Sequence, residues 1–218
     1  MPRGAVELVW GSELIDLHVE TFIPHRLYRY DMLARHSHLF PFRGHFFGHL
    51  DVPRAIEGGL TGAMWSIATN ISRSSNGRLE VLRTNVEDLV TTLRRSGTIQ
   101  VVRTHAEYLA ARAAGKHAAL VAVQGGNGFE GPGSPVNPGG FVTRVTVVHL
   151  SNSLLGATSS PLRGGADHGL TDRGRSFIRW LDEERIFVDL AHASPRAFWD
   201  AVEVHDRTRP LIVTHTGI

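Results

Sequence analysis

The chain of 218 residues contains no cysteine. Disulfides and thiolate metal sites are therefore excluded, and any metal ion must be held by imidazole, carboxylate, amide or water. Lysine is nearly absent too. Lys116 stands alone, so arginine makes up the rest of the 23 basic side chains, set against 21 acidic ones. The arginines are scattered and form no patch or stripe, so nucleic acid is not an expected partner. A carboxylated lysine at a strand end can bridge two metal ions, but Lys116 precedes its strand and is not expected to act so. No apolar stretch approaches about 18 residues, so no membrane span is expected. The opening MPRGAVELVWGSELIDLH lacks the apolar core and small-residue cleavage site of a signal peptide. A cytoplasmic location is the expectation. Internal repeats and low-complexity tracts are missing as well.

What remains is an ordinary globular composition, 42% hydrophobic and 20% charged. The length suits one large domain, and a single domain over residues 1–218 is expected. Short apolar runs alternate with segments of helical spacing, the pattern of βα units and a parallel sheet. Strands are expected near 14–20, 61–69, 118–124, 143–150, 186–191 and 211–215, with a short extended piece at 99–103. Residues 51–59 read as a short helix closed by glycines. Residues 79–96 carry Leu82, Val86, Leu89, Val90 and Leu93 at helical spacing. Thr104 and Glu107 form a capping box. Thr171 caps a helix reaching about Arg185, and Ser194-Pro195 opens another. The aromatic, histidine-rich segment 22–50 reads as an insertion or an irregular layer. Six βα-type strands fall short of the eight of a closed (β/α) barrel. The expected fold is thus an α/β, TIM-like (β/α) barrel truncated after the sixth strand. Its two unpaired edges would invite association into homo-oligomers.

Five polar residues stand at or just past the ends of the apolar runs: His18, Gln124, His149, His192 and His215. In barrels and open α/β sheets, the C-terminal strand ends share one face, and that face carries the chemistry. Asp16, His18 and Glu20 alternate along the first strand and project to one side. A His-x-acid pair suits a divalent cation, and His192 and His215 add imidazoles from two further strands. A single histidine of this kind is more often a hydrogen-bonded core residue; the set of them is what points to a metallohydrolase. His25, His36, His38, His45 and His49 lack strand-end placement and read as solvated loop residues. The glycine-rich loop 125–140 lacks the Gly-Lys-Ser/Thr ending of a phosphate loop and reads as a flexible cover over the site. Trp65 reads as core.

Several stretches in order resemble the membrane (renal) dipeptidase family of zinc peptidases, which have a TIM-like barrel. DLHVE (16–20) resembles the family's Asp-Gly-His-Asn-Asp metal motif. DVPRAIEGGLTGAMWSI (51–67) is similar to its strand-two region. LVAVQGGN (120–127) resembles the stretch with Glu-Gly-Gly-His, and VTVVHLSN (145–152) the Leu-Thr-His-Asn strand. GLTDRGRSFIRWLDEERIFVDLAHAS (169–194) and PLIVTHT (210–216) resemble the segments with its second pair of metal histidines. The resemblance implies zinc, as one or two divalent ions. His18 and Glu20 would bind the first, with Glu20 where the family has Asp, and His192 and His215 the second. His149 would be catalytic, polarising the scissile carbonyl or stabilising its oxyanion, and with Asn152 would contact substrate. Gln124 occupies the metal-bridging position where the family has glutamate. An amide is neutral and binds hard cations through one oxygen, so a weakened or mononuclear site is expected. Glu130, in the following loop, is not expected to replace it. The family's water-activating acid and substrate-binding arginine come from later strands, so the catalytic base is not identifiable here. The implied activity is hydrolysis of a dipeptide or small amide by metal-activated water. The alternative is a catalytically silent relative that serves as a binding or structural module. Lactone or phosphoester hydrolysis stays open as a third possibility.

Overall fold

A computed structural model of the chain describes residues 2–36, 50–69, 75–131, 133, 135–161 and 165–215, and the backbone alone at 75 and 76. The chain forms two compact units, Met1–Ser66 with Asp88–Val121, and Ile67–Glu87 with Ala122–Ile218.

The first unit opens with helix α1 (Arg3–Trp10), which composition alone did not signal because none of its residues is buried. Strand β1 (Ile15–Val19) pairs in parallel with β2 (Gly62–Ala68), with a register shift between Asp16 and Val19. The segment expected to be irregular begins with a helix, α2 (Phe22–Tyr28), because Phe22 and Pro24 have an apolar face to bury. It stops at Arg29, whose φ of 55° is left-handed. Helix α3 (Val52–Glu57) is capped by Asp51, which accepts from Arg54 N at 2.9 Å. The extended piece at 99–103 becomes β3 (Ile99–Val101), a strand parallel to the start of β4 (His117–Gln124). The capping box forms as expected: Thr104 and Glu107 reciprocally close the start of α5 (His105–Ala113). Trp65 is fully buried and meets the His117 ring edge-on, with centroids 6.0 Å apart.

Helix α4 (Ser75–Arg94) contributes residues to both units. Leu82, Val86, Leu89, Val90 and Leu93 form its buried stripe, the helical spacing read from sequence.

The second unit carries β5 (Val142–Thr146), β6 (Phe187–Asp189) and β7 (Leu211–Ile212), paired in parallel as Thr146 with Asp189 and Asp189 with Ile212. Helix α6 (Asp172–Glu183) is capped by Thr171, and buries Phe177, Ile178 and Leu181. Helix α7 (Pro195–Val204) is capped by Ser194, with Pro195 at its first position. The last three strands end earlier than the apolar runs suggest. Beyond β6 and β7 an amide leaves the ladder for a side chain: Ala191 N and Thr214 N both donate to Asp189 Oδ1 at 3.1 Å. No described helix is long and apolar enough to cross a membrane.

His117 supplies a pH test of this packing. Its Nδ1 faces the Leu60 carbonyl at 3.0 Å, and Trp65 Nε1–H donates to its Nε2 at 3.4 Å. The ring is therefore held neutral, and burial lowers its pKa below the ordinary 6.5. The unfolded chain then takes up the proton first as pH falls, so this stabilisation is complete above pH 6.5 and is lost on acidification below it. Urea unfolding is expected to show stability falling from pH 6.5 to 5, with a shallower fall in His117→Gln. Equal slopes in the two proteins would remove His117 from the account.

Candidate active site

In the second unit, Gln124 is the last residue of β4, while His149, His192 and His215 each stand three residues beyond β5, β6 and β7. The repeated offset carries the side chains off the regular strand into loops that side-chain hydrogen bonds shape. Gln124 is buried. Its backbone carbonyl accepts from Thr69 N at 3.0 Å, and the next amide, Gly125 N, donates to Thr146 O at 3.1 Å. The chain turns there through φ 101° at Gly125. A Cβ at that position would lie 2.3 Å from Thr69 Oγ1, so only glycine fits.

The side chains converge. Nε2 of His192 and Nε2 of His215 are 2.9 Å apart. The Gln124 amide nitrogen lies 3.2 Å from the first and 2.9 Å from the second. The His149 ring meets His192 edge-on with centroids 4.8 Å apart. His149 Nδ1 and Gln124 Oε1 are both buried without a hydrogen-bond partner among the described residues. Amide oxygen and nitrogen are interchangeable on turning the group over, and the turned amide would aim Oε1 at the two imidazoles. Two imidazoles and an amide carbonyl then face one point, a neutral donor set for a single divalent cation. Among the described residues, no three His, Asp or Glu side chains form such a group.

Burial depresses the pKa of all three histidines. His149 falls to about 4, through burial and then the neighbouring His192 and His215. His192 is lowered by burial against the pull of Asp189, and His215 by burial and then by His192. All three are neutral at pH 7, the form in which an imidazole offers a lone pair.

Behind the imidazoles lies a cluster that sequence reading did not assign. Arg144 and Asp189 are both 0% exposed and form an ion pair. Asp189 Oδ2 also accepts from Thr146 Oγ1 and Thr214 Oγ1, each at 2.8 Å. Burial alone would raise the Asp189 pKa; Arg144 and the donated hydrogen bonds outweigh it and hold the carboxyl below its ordinary value. A second support is Thr158. Its hydroxyl reaches the His192 carbonyl at 2.9 Å and also contacts the His149 carbonyl. Ser159 N adds a bond to the His192 carbonyl at 2.8 Å. These bonds hold His192 at φ 64°, left-handed for a non-glycine residue. Asn152 Oδ1 accepts from Thr158 N at 3.0 Å, so Asn152 supports this loop.

In the first unit, His18 lies within β1, and its Nε2 is 3.6 Å from Glu20 Oε1. Ser66 Oγ is 3.4 Å from His18 Nδ1, and Asp16 Oδ1 accepts from His18 N at 2.8 Å. Asp16 is thus turned to its own backbone, while His18 and Glu20 form the adjacent pair. Glu130 is committed elsewhere: it pairs with Arg78 and accepts from Leu154 N at 3.0 Å. His25 and His36 are tied to the carbonyls of Tyr30 and Asp31 at 2.8 and 2.6 Å, which replaces the solvated reading with a structural one. His38, His45 and His49 lie outside the described residues.

The sequence profile of the membrane dipeptidase family, peptidase family M19, matches residues 3–218. The chain belongs to that family. Dipeptidase tcpJ of Claviceps purpurea is 24% identical over 183 residues, covering 78% of this chain and 42% of that protein. An uncharacterized protein in the pqqA 5′ region of Klebsiella pneumoniae is 28% identical over 105 residues, 45% of this chain and 38% of that one. The chain thus spans less than half the length of these relatives. Among solved structures, a metallopeptidase from Rhodobacter sphaeroides, liganded with a phosphinate mimic of the dipeptide L-Ala-D-Ala, superposes with a TM-score of 0.71 at 19% identity. The match covers 94% of this chain and 65% of that one. The probable dipeptidase PvdM of Pseudomonas aeruginosa gives 0.70 at 14% identity, covering 99% of this chain and 56% of that one. The fold is that of the α/β, TIM-like (β/α) barrels, as expected.

The buried ion pair sets a stability prediction. Asp189→Asn leaves Arg144 buried without a counter-charge and is expected to cost about 3–5 kcal/mol. Replacing both partners with apolar residues, as Arg144→Met with Asp189→Leu, is expected to cost much less. Chemical unfolding of the single and double variants measures the difference. A single variant as stable as the parent would show that the pair does not hold these strands.

Proposed function

We propose that the chain acts in a metal-dependent hydrolase of dipeptides or small amide bonds. The observation that carries this reading is the convergence of His192, His215 and Gln124 on one point within hydrogen-bonding distance, beside a neutral His149. His192, His215 and Gln124 would hold one divalent ion, with zinc the choice that imidazole favours. His18 and Glu20 are the candidate ligands of another. A bound ion of this kind supplies Lewis acidity and an activated water. His149 keeps one N–H at neutral pH and would donate it to the scissile carbonyl oxygen as negative charge develops there. Asn152, whose Oδ1 accepts from the Thr158 amide, is the second candidate for contact with substrate. Membership of a dipeptidase family and likeness to a metallopeptidase that binds a dipeptide mimic support the substrate class.

Gln124 favours a second reading, a relative that binds dipeptides without hydrolysing them. One set of measurements separates the two. Elemental analysis of protein purified without chelator is expected to give about one divalent ion per chain, with metal-dependent dipeptide hydrolysis abolished by His192→Ala. Gln124→Glu, which restores a bridging anion, is expected to raise metal content, activity or both. Absence of both metal and turnover would sink the hydrolase reading. Metal with no turnover, in the parent and in Gln124→Glu alike, would favour the silent relative.

A further inference from the structure

We propose that Thr214 is a positioning residue that locks His215 in the Nδ1–H tautomer and so turns its Nε2 lone pair toward the point shared with His192 and Gln124. The proposal rests on the metal-site reading above for its purpose, but not for its geometry. Thr214 Oγ1 touches two groups that fix the direction of its single proton. It lies 2.8 Å from Asp189 Oδ2 and 2.7 Å from His215 Nδ1. Asp189 is a buried carboxylate paired with Arg144 and has no proton to give. The Thr214 hydroxyl must therefore donate to Asp189, and its oxygen can only accept from His215. The hydrogen on His215 then resides on Nδ1, and the lone pair resides on Nε2, 2.9 Å from both His192 Nε2 and the Gln124 amide. A carboxylate acting on a ligand histidine normally does so through a direct bond; here a hydroxyl stands between them. Arg144 Nη1, 3.4 Å from Thr214 Oγ1, reinforces the direction, because a cationic donor cannot accept.

The neighbouring Thr146 supplies the control. Its hydroxyl also donates to Asp189 Oδ2 at 2.8 Å, but no bond links it to His215. Thr146→Val therefore removes the same kind of support from the carboxylate and leaves the relay intact. Thr214→Val removes the relay, and Thr214→Ser restores it.

The experiment combines two readouts on the full chain. The first is Zn2+ affinity by titration calorimetry. The second is the tautomer of His215 in metal-free protein at neutral pH, from 15N shifts of labelled histidine assigned by loss of the signal in His215→Gln. Thr214→Val is expected to weaken Zn2+ binding about 10–100-fold and to give a mixed tautomer, while Thr214→Ser and Thr146→Val keep parental affinity and the Nδ1–H form. Parental affinity in Thr214→Val, or an unchanged Nδ1–H signal, would overturn the proposal. So would an equal loss of affinity in Thr146→Val, since that effect would belong to Asp189 and the fold. If the parent binds no Zn2+, the metal-site reading fails separately, and the tautomer in Thr214→Val still decides the role of the hydroxyl.

Discussion

The carboxylate of Asp189 is the constraint on which the second unit depends. A charge this deeply buried is costly unless every lone pair is used, and here the sequence supplies a partner for each. Arg144 and Thr146 come from β5, Thr214 from just beyond β7, and Ala191 from the turn after β6. One side chain thus joins three neighbouring strands at the same level. It also ends two of them, β6 and β7, because the amides of Ala191 and Thr214 turn to its oxygen and leave the ladder. The loops that begin there carry His192 and His215. The placement of two imidazoles within 2.9 Å of each other follows from how a buried anion is satisfied.

The same economy appears in the backbone. His192 adopts φ 64°, a conformation that costs a non-glycine residue on the order of 1–3 kcal/mol. It persists because its carbonyl is clamped by Thr158 and by the amide of Ser159. Thr158 also contacts the His149 carbonyl, so one hydroxyl sets the backbone behind two of the three histidines. Gln124 is positioned differently, by the left-handed turn at Gly125 and by Thr69 and Thr146 around its peptide. One strand-end side chain and three loop side chains are brought together by hydrogen bonds in which threonine is the usual donor.

Helix caps and strand cores were legible in the sequence because their signals are local. Thr104 with Glu107, Thr171, and Ser194 with Pro195 each cap the helix that follows. Apart from half-buried Leu120, the runs Ala118–Val123 and Val145–Val148 are buried. Two elements were missed for physical reasons: α1 buries no residue, and α2 hides its short apolar face inside an aromatic stretch. Strand ends were overestimated, since apolar character continues past Thr146, Asp189 and Ile212 after the ladder has stopped. For the candidate site, His149, His192, His215 and Gln124 were each marked by closing an apolar run. The supports were not read, yet a signal existed. Arg144 and Asp189 are opposite charges, each embedded in a separate buried strand run, and such charges must find one another. Thr158 and Thr214 carried no comparable mark, because a threonine near a strand end is ordinary and its meaning depends on which carbonyl or ring it meets.

The consequence of a neutral residue at position 124 can be put in electrostatic terms. Two dications about 4 Å apart repel by on the order of 16 kcal/mol at an effective dielectric of ~20, four times the value for unit charges. A carboxylate placed between them attracts each and more than offsets that repulsion; an amide carbonyl contributes only a dipole. The donors around Gln124 in the second unit are likewise neutral, since burial holds His149, His192 and His215 in their uncharged forms. The carboxylate of Asp189, bonded to Thr214 behind them, is already balanced by Arg144. A cation held there would keep nearly all of its charge. It would polarise a carbonyl strongly, and it would resist a second cation close by. On the proposed metal-site reading, a neutral Gln124 would therefore make a second ion close by costlier than a bridging glutamate would.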